Sequence, residues 1–192
     1  MTVVGSADAF NSSGRAHSCY LLEGSSFEGP VMVDFGATAL ARLRALGREP
    51  GELTGLLITH LHGDHIGGLE WFGFTSYFGR GAADRPRLFI PESLVTPLWE
   101  NSLRGGMEVL DFGRGHLSDF FDVRPLPPDG SFVFGGVTLT PVPLVHVRAG
   151  ETVMHAHGLM IDAPDGPVLF TSDCLHQPDH LMAWCERARL IF

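Results

Sequence analysis

The stretch Ile58–Gly68, ITHLHGDHIGG, places three histidines and an aspartate within six positions. Such a concentration limits the chain to folds that bring a buried strand end up to a polar, ligand-rich loop. Residues 55–59, GLLIT, are a short continuous apolar run, the pattern of a strand buried on both faces, and the run ends at His60. In extended backbone, residues i and i+2 point the same way, so His60 and His62 can grip one metal together. Asp64 and His65 lie one turn further on, project to a neighbouring point and can hold a second metal. Gly63 is expected to let the chain bend tightly, and Gly67-Gly68 to let a helix start close to the site. That helix N-terminus also favours an anionic group nearby. The bland alternative is a His-rich surface loop without metal.

A chain of 192 residues suits one domain with a real hydrophobic core, so residues 1–192 read as a single domain. No apolar run reaches membrane-spanning length, and MTVVGSADAF lacks the basic and apolar segments of a secretory signal. Cys19, Cys174 and Cys185 have no zinc-type spacing, which suggests a reducing compartment and a cytoplasmic protein. Acidic residues outnumber basic ones 22 to 13, and every basic residue is arginine. The groupings Arg42/Arg44/Arg48 and Arg80/Arg85/Arg87 read as solvated faces, not as the basic stripe that phosphate backbones require. Large nucleic acids and membranes are therefore disfavoured as partners, and a small-molecule substrate is favoured.

Short apolar runs between Gly/Pro/Asp-rich turns, interleaved with helical periods, indicate an α/β fold. Residues 2–5, 18–23 and 30–34 read as strands. Residues 38–46 read as a helix, with Leu40, Leu43 and Leu46 on one face and Gly47 as its stop. Residues 66–78 read as a helix followed by an aromatic-rich loop, WFGFTSYF; its aromatics are either core or the wall of a pocket mouth. Residues 87–90 read as a strand and 91–103 as a helix. Residues 120–143 read as an antiparallel meander around PPDG and FGG, and 159–162 and 167–171 as a hairpin around APDG. A short helix over 181–187 and the start of a strand at 189–192 complete the chain.

With these elements in order, THLHGDHIGG resembles the signature of the metallo-β-lactamase superfamily. GSADAF and VMVDFGA resemble the opening motifs of its ribonuclease Z-like and phosphodiesterase branch. VPLVHV, carrying His146, and LFTSDC, carrying Asp173, resemble later motifs, so the resemblance runs along most of the chain. It implies a four-layered αβ/βα sandwich. It also implies a first metal on His60, His62 and His146, and a second on Asp64 and His65 with Asp173 shared. Histidine nitrogen with a bridging carboxylate suits one or two Zn²⁺ ions, with Mn²⁺ or Fe as substitutes. Such a pair supplies a metal-bound hydroxide as nucleophile, which Asp64 would orient.

Two departures from the family pattern matter. The family continues past the bridging aspartate to a final histidine, and only 19 residues follow Asp173 here, none of the last twelve a histidine. The sandwich is therefore expected to be C-terminally incomplete, the chain a truncated product, with His176 or His180 as substitutes or a weak second site as the alternatives. An exposed strand edge is then expected to promote self-association. The second departure lies between His146 and Asp173. The transfer-RNA-gripping arm of ribonuclease Z is inserted there, and this chain has room only for a loop and a hairpin.

In that loop His155 and His157 are spaced to share one side of an extended strand. They could contact a substrate phosphate or act as an acid for the leaving group, or simply be a solvent-facing or packed pair. Arg148 is read the same way, as an anion contact or a surface residue. Cys174 reads as packing, its side chain directed away from Asp173. The expectation is a metal-dependent hydrolase of a small phosphodiester. The alternatives are an ester, thioester or lactone hydrolase, and a non-catalytic metal-binding member of the fold.

Overall fold

The computed structural model describes residues 1–192 apart from 25–27, 82, 112 and 129. Contacts gather into two compact units, Met1–Pro125 and Leu126–Phe192.

In the first unit β1 (Thr2–Gly5), β2 (Cys19–Leu22) and β3 (Val31–Val33) pair antiparallel in succession. The helix α1 (Ala39–Ala45) turns on Gly47, whose φ of 73° is open to glycine at no steric cost, and leads to β4 (Gly55–Leu57), parallel to β3. After the histidine loop come α2 (Gly63–Ile66) and α3 (Leu69–Arg80), then β5 (Arg87–Pro91), parallel to β4. A helical stretch follows as α4 (Glu92–Leu98), a π-helical segment over Trp99–Leu103, and α5 (Arg104–Met107). The two-residue strands β6 (Val109–Leu110) and β7 (Gly113–Arg114) pair with each other. Finally α6 (Leu117–Phe120) delivers β8 (Asp122–Leu126) to the edge of a six-stranded sheet ordered β1-β2-β3-β4-β5-β8.

Every residue of β3 and β4 is buried, as their unbroken apolar runs require. Met32, Leu56 and Leu88 pack with Leu43 of α1, Phe72 of α3 and the pair Phe120–Phe121. Each fully buried side chain of this kind contributes about 1.5–3 kcal/mol relative to exposure. Burial also pushes the Cys19 thiol up to about 12, which makes it inert packing.

The second unit is a five-stranded sheet. Its strands are β9 (Phe132–Phe134), β10 (Val137–Ala149), β11 (Thr152–Ala163), β12 (Gly166–Phe170) and β13 (Leu190–Ile191), with α7 (Pro178–Arg187) between the last two. Their order is β13-β12-β11-β10-β9, with β13 parallel to β12. Val142, Leu144, Met160 and Leu169 form its core, and Leu181, Trp184, Cys185 and Cys174 pack against them.

Three expectations change. WFGFTSYF is not a loop but the body of α3, because Leu69, Phe72, Gly73 and Ser76 fall on one buried helical face. The 120–143 meander does not form: Phe120 and Phe121 are buried in the first core, so β8 joins the first sheet, and only β9 and β10 make a hairpin. Asp129 of the PPDG turn lies outside the described residues. Residues 152–158, expected as a loop, are paired strand in β11. The hairpin around APDG forms in register, Ala163 opposite Gly166. Among the described residues no helix is long and apolar enough to cross a membrane.

Candidate metal centre

In the first unit the site is built on two adjacent strand ends. Past β3 the chain reaches Asp34, which has a left-handed φ of 60° and is 1% exposed. Past β4 it reaches Thr59 and His60, both fully buried. The Asp34 carboxylate accepts hydrogen bonds from the Thr59 backbone N–H (2.9 Å) and the Thr59 hydroxyl (2.8 Å). His65 Nδ1 lies 2.7 Å from Asp34 Oδ2, and His60 Nδ1 lies 3.0 Å from Thr59 Oγ1. With the Thr59 hydroxyl committed to Asp34, both histidines must donate through Nδ1, the His60 ring to Thr59 and the His65 ring to Asp34. This fixes Nε2 of each as the basic nitrogen. Burial pushes the Asp34 carboxyl above the usual carboxylate range, while the hydrogen bonds from His65 and Thr59 pull it back down.

The donor set fits a metal. His62 is extended (φ −70°, ψ 149°), so His60 and His62 project together, with ring centroids 4.9 Å apart. The His60 and His65 centroids are 4.0 Å apart. The ligating atoms of His60 and His62 lie within 4.8 Å of each other, as do those of His60 and His65. Asp64 Oδ2 is 3.4 Å from His65 Nε2. Three imidazoles and a carboxylate, one ring held from behind by the buried Asp34 carboxylate and another through Thr59, form a metal-ligand arrangement with its outer support in place.

The glycines around this loop divide. A Cβ on Gly36 would sit 1.8 Å from the Asp64 carbonyl oxygen, and one on Gly68 would sit 2.6 Å from Phe35 Cδ1. Gly68 therefore does let the helix start pack close. Gly63 does not act as expected: it begins α2 without a positive φ and has nothing within 4 Å of a Cβ.

In the second unit His146 sits where the register of β10 against β11 shifts, between Val145 and Val147. This bulge re-aims one side chain out of the strand's alternation. Ser172, with a φ of 54°, turns the chain beyond β12 to Asp173, whose Oδ2 is 3.8 Å from His146 Nε2. Gln177 stitches the two segments together. Its Oε1 accepts from Val145 N–H (3.2 Å) and its Nε2 donates to the Val145 carbonyl (2.9 Å).

His155 and His157 lie on β11 opposite Val145 and Pro143, His155 exposed and His157 half-buried. Arg148 is exposed near the end of β10. Of the substitute ligands considered, His176 is exposed, and His180 Nε2 is 2.8 Å from the Pro143 carbonyl. Cys174 packs on the second core, as expected for a residue turned from Asp173. The spacing of residues in the sequence does not single out Asp34, Thr59 or Gln177. For Asp34 the signal was an acid directly closing the apolar run VMV.

Solved structures share this fold. YhfI from Bacillus subtilis, a metallo-beta-lactamase fold protein, superposes with a TM-score of 0.74 at 19% identity, covering 99% of this chain and 68% of that one. Human tRNase Z, short form, gives 0.69 at 20%, covering 99% and 75%. Zn²⁺-bound PqqB from Methylobacterium extorquens gives 0.68 at 13%, covering 95% and 68%. The chain is thus a metallo-β-lactamase fold protein, with the histidine loop at the end of β4. Within that fold it belongs to the family described as "Anti-Pycsar protein Apyc1", which matches residues 1–192. The protein of that name from Saccharibacillus brassicae is 47% identical over 106 residues, 55% of this chain and 41% of the relative. The one from Bacillus phage 010DV004 is 34% identical over 186 residues, 91% of this chain and 68% of the relative. The chain thus spans about two fifths of the first of these relatives and about two thirds of the second.

Proposed function

We propose that the chain is a metal-dependent hydrolase of a small phosphodiester, a cyclic nucleotide being the class compatible with the name its relatives carry. The observation that carries this reading is the Asp34–Thr59 network, which commits Nδ1 of His60 and His65 to the protein and leaves Nε2 as the coordinating nitrogen of each. The ligands proposed are those the family motifs imply: His60, His62 and His146 for one metal, Asp64 and His65 for a second, with Asp173 shared. Zinc suits the donors best, with manganese or iron as substitutes. When bound, such a pair supplies an activated water and polarises a phosphoryl oxygen. Asp64 would accept a hydrogen bond from the attacking water and orient it, and exposed His155 or half-buried His157 would contact the substrate phosphate or act as an acid for the leaving group.

The natural test combines metal content per chain with turnover of bis-p-nitrophenyl phosphate, p-nitrophenyl acetate and a panel of cyclic mononucleotides. About two metals with phosphodiester turnover is the expected result. Turnover of the acetate alone would move the substrate to the ester class. Fewer than about one metal and no turnover on any substrate would overturn the enzyme reading.

A small-molecule partner is consistent with the arginines, most of which are engaged inside the protein. Arg48 is held by Glu23 and Glu52, Arg104 by Glu100 and Glu108, and Arg80 donates to the backbone carbonyls of Pro50, Gly51 and Leu53. The three free thiols fit a cytoplasmic setting. Self-association through β13 is also proposed, since Leu190, Ile191 and Phe192 stand exposed at a sheet edge. Light scattering after size exclusion should then give a mass above the monomer's 20.8 kDa, and a clean monomer at high concentration refutes it.

A further inference from the structure

Two adjoining clefts open in the first unit around α6, and none of their lining residues belongs to the histidine loop. One, of about 400 Å³, is lined by Arg85, Phe121 and Asp122 among others. The other, of about 350 Å³, is lined by Thr96, Trp99, Glu100 and His116 among others. Ser118 and Val123 line both, so the two volumes share a wall. Either is of the size that small organic ligands occupy.

The charges in the clefts are unevenly committed. Asp122 Oδ2 accepts from both Nε (2.9 Å) and Nη2 (2.7 Å) of Arg124. Glu100 is paired with Arg104, and the His116 backbone N–H donates to Asp119 Oδ2 at 2.7 Å. Arg85 differs: its Nε is buried and, among the described residues, has no acceptor. Arg85 also lines the first cleft, and its planar guanidinium matches phosphate or carboxylate oxygens. Beyond the shared wall, Trp99 opens the π-helical segment that follows Pro97, a backbone irregularity frequent at binding sites. Its half-buried indole, 6.5 Å from Phe120, offers a flat face for an aromatic group.

We propose that this double cleft is a ligand site for an aromatic phosphate monoester, a nucleoside monophosphate in class. Arg85 takes the phosphate, the Ser118 hydroxyl assists, and Trp99 stacks the ring. The site binds without turnover and is independent of the hydrolase reading.

The test is calorimetric titration of the full chain with adenosine 5′-monophosphate, and with inorganic phosphate for comparison. Wild type and the Arg85→Ala, Arg85→Lys and His60→Ala variants are measured at low salt. Wild type should bind the nucleotide more tightly than bare phosphate. Arg85→Ala should weaken nucleotide binding by about tenfold or more, with Arg85→Lys intermediate because it keeps the charge and loses the fork. His60→Ala should leave this binding unchanged, and Arg85→Ala should leave phosphodiester turnover unchanged. Circular dichroism verifies the fold of each variant, and Arg85→Lys carries the comparison if Arg85→Ala unfolds. The proposal fails if wild type shows no saturable binding up to ~10 mM, or if the Arg85 variants bind as wild type does. It also fails if binding disappears in His60→Ala and persists in Arg85→Ala, which would place the phosphate at the histidine loop.

Discussion

A His60→Ala variant is expected to lose phosphodiester turnover by on the order of 10³-fold, together with most of its bound metal, while remaining folded. Losing a ligand removes several kcal/mol of transition-state charge stabilisation, and each 1.4 kcal/mol is about tenfold in rate. The position permits no compensation by solvent, because His60 is fully buried behind the Thr59 contact. Asp34→Asn makes the same argument one step further out. All three groups that face this carboxylate are donors: Thr59 N–H, the Thr59 hydroxyl and His65 Nδ1. An amide NH₂ among them would set donor against donor and free the His65 ring to rotate. Metal affinity should fall by about 10–100-fold, the usual effect of losing a group that orients a ligand. Equilibrium dialysis against zinc, beside the rate assay, measures both variants. If His60→Ala keeps its metal and its rate, the histidine loop is not the metal centre; if Asp34→Asn binds zinc as wild type does, the network is only structural.

The parts of this centre legible in the sequence were those set by local spacing. His60 and His62 announce themselves because extended backbone repeats every two residues, and the buried run GLLIT places them at a strand end. Asp34 is 25 residues away from Thr59 and meets it only because β3 and β4 pair in parallel, so its role depends on a non-local ladder. The His146 bulge was hidden for a related reason: VPLVHV fits an uninterrupted strand, and only its pairing with β11 shows where the alternation breaks. The expected meander failed where local turn chemistry competed with core burial. FGG does close a hairpin, whereas the segment before it follows Phe120 and Phe121 into the first core. In WFGFTSYF the aromatic side chains suggested an irregular loop, but the period of burial, Leu69 to Phe72, Gly73 and Ser76, is helical.

Gly36→Ala should be the most disruptive single methyl in the first unit. The added carbon would lie 1.8 Å from the Asp64 carbonyl oxygen and 2.6 Å from its carbonyl carbon, both backbone atoms that no side-chain rotation can move aside. Nor can the surrounding backbone shift freely. The Phe35 N–H donates to the His65 carbonyl at 2.8 Å, and the Gly68 N–H donates to the Phe35 carbonyl at 2.9 Å, so the segments on both sides of the clash are tied together. Relief therefore requires moving the loop that carries Asp64 and His65, or breaking those bonds. The cost is expected to be about 3 kcal/mol or more, a fall in Tm of roughly 10 °C for a chain of this size, with metal binding lost in parallel. Gly63→Ala is the matched control, since it lies in the same loop, lacks a positive φ and has open space at its Cβ. It should unfold within about 1 kcal/mol of wild type and keep its metal. Thermal denaturation of the two variants side by side, with metal analysis of each, separates steric closure of the loop from a general intolerance of alanine there; equal Tm values for the two would refute the close-approach argument.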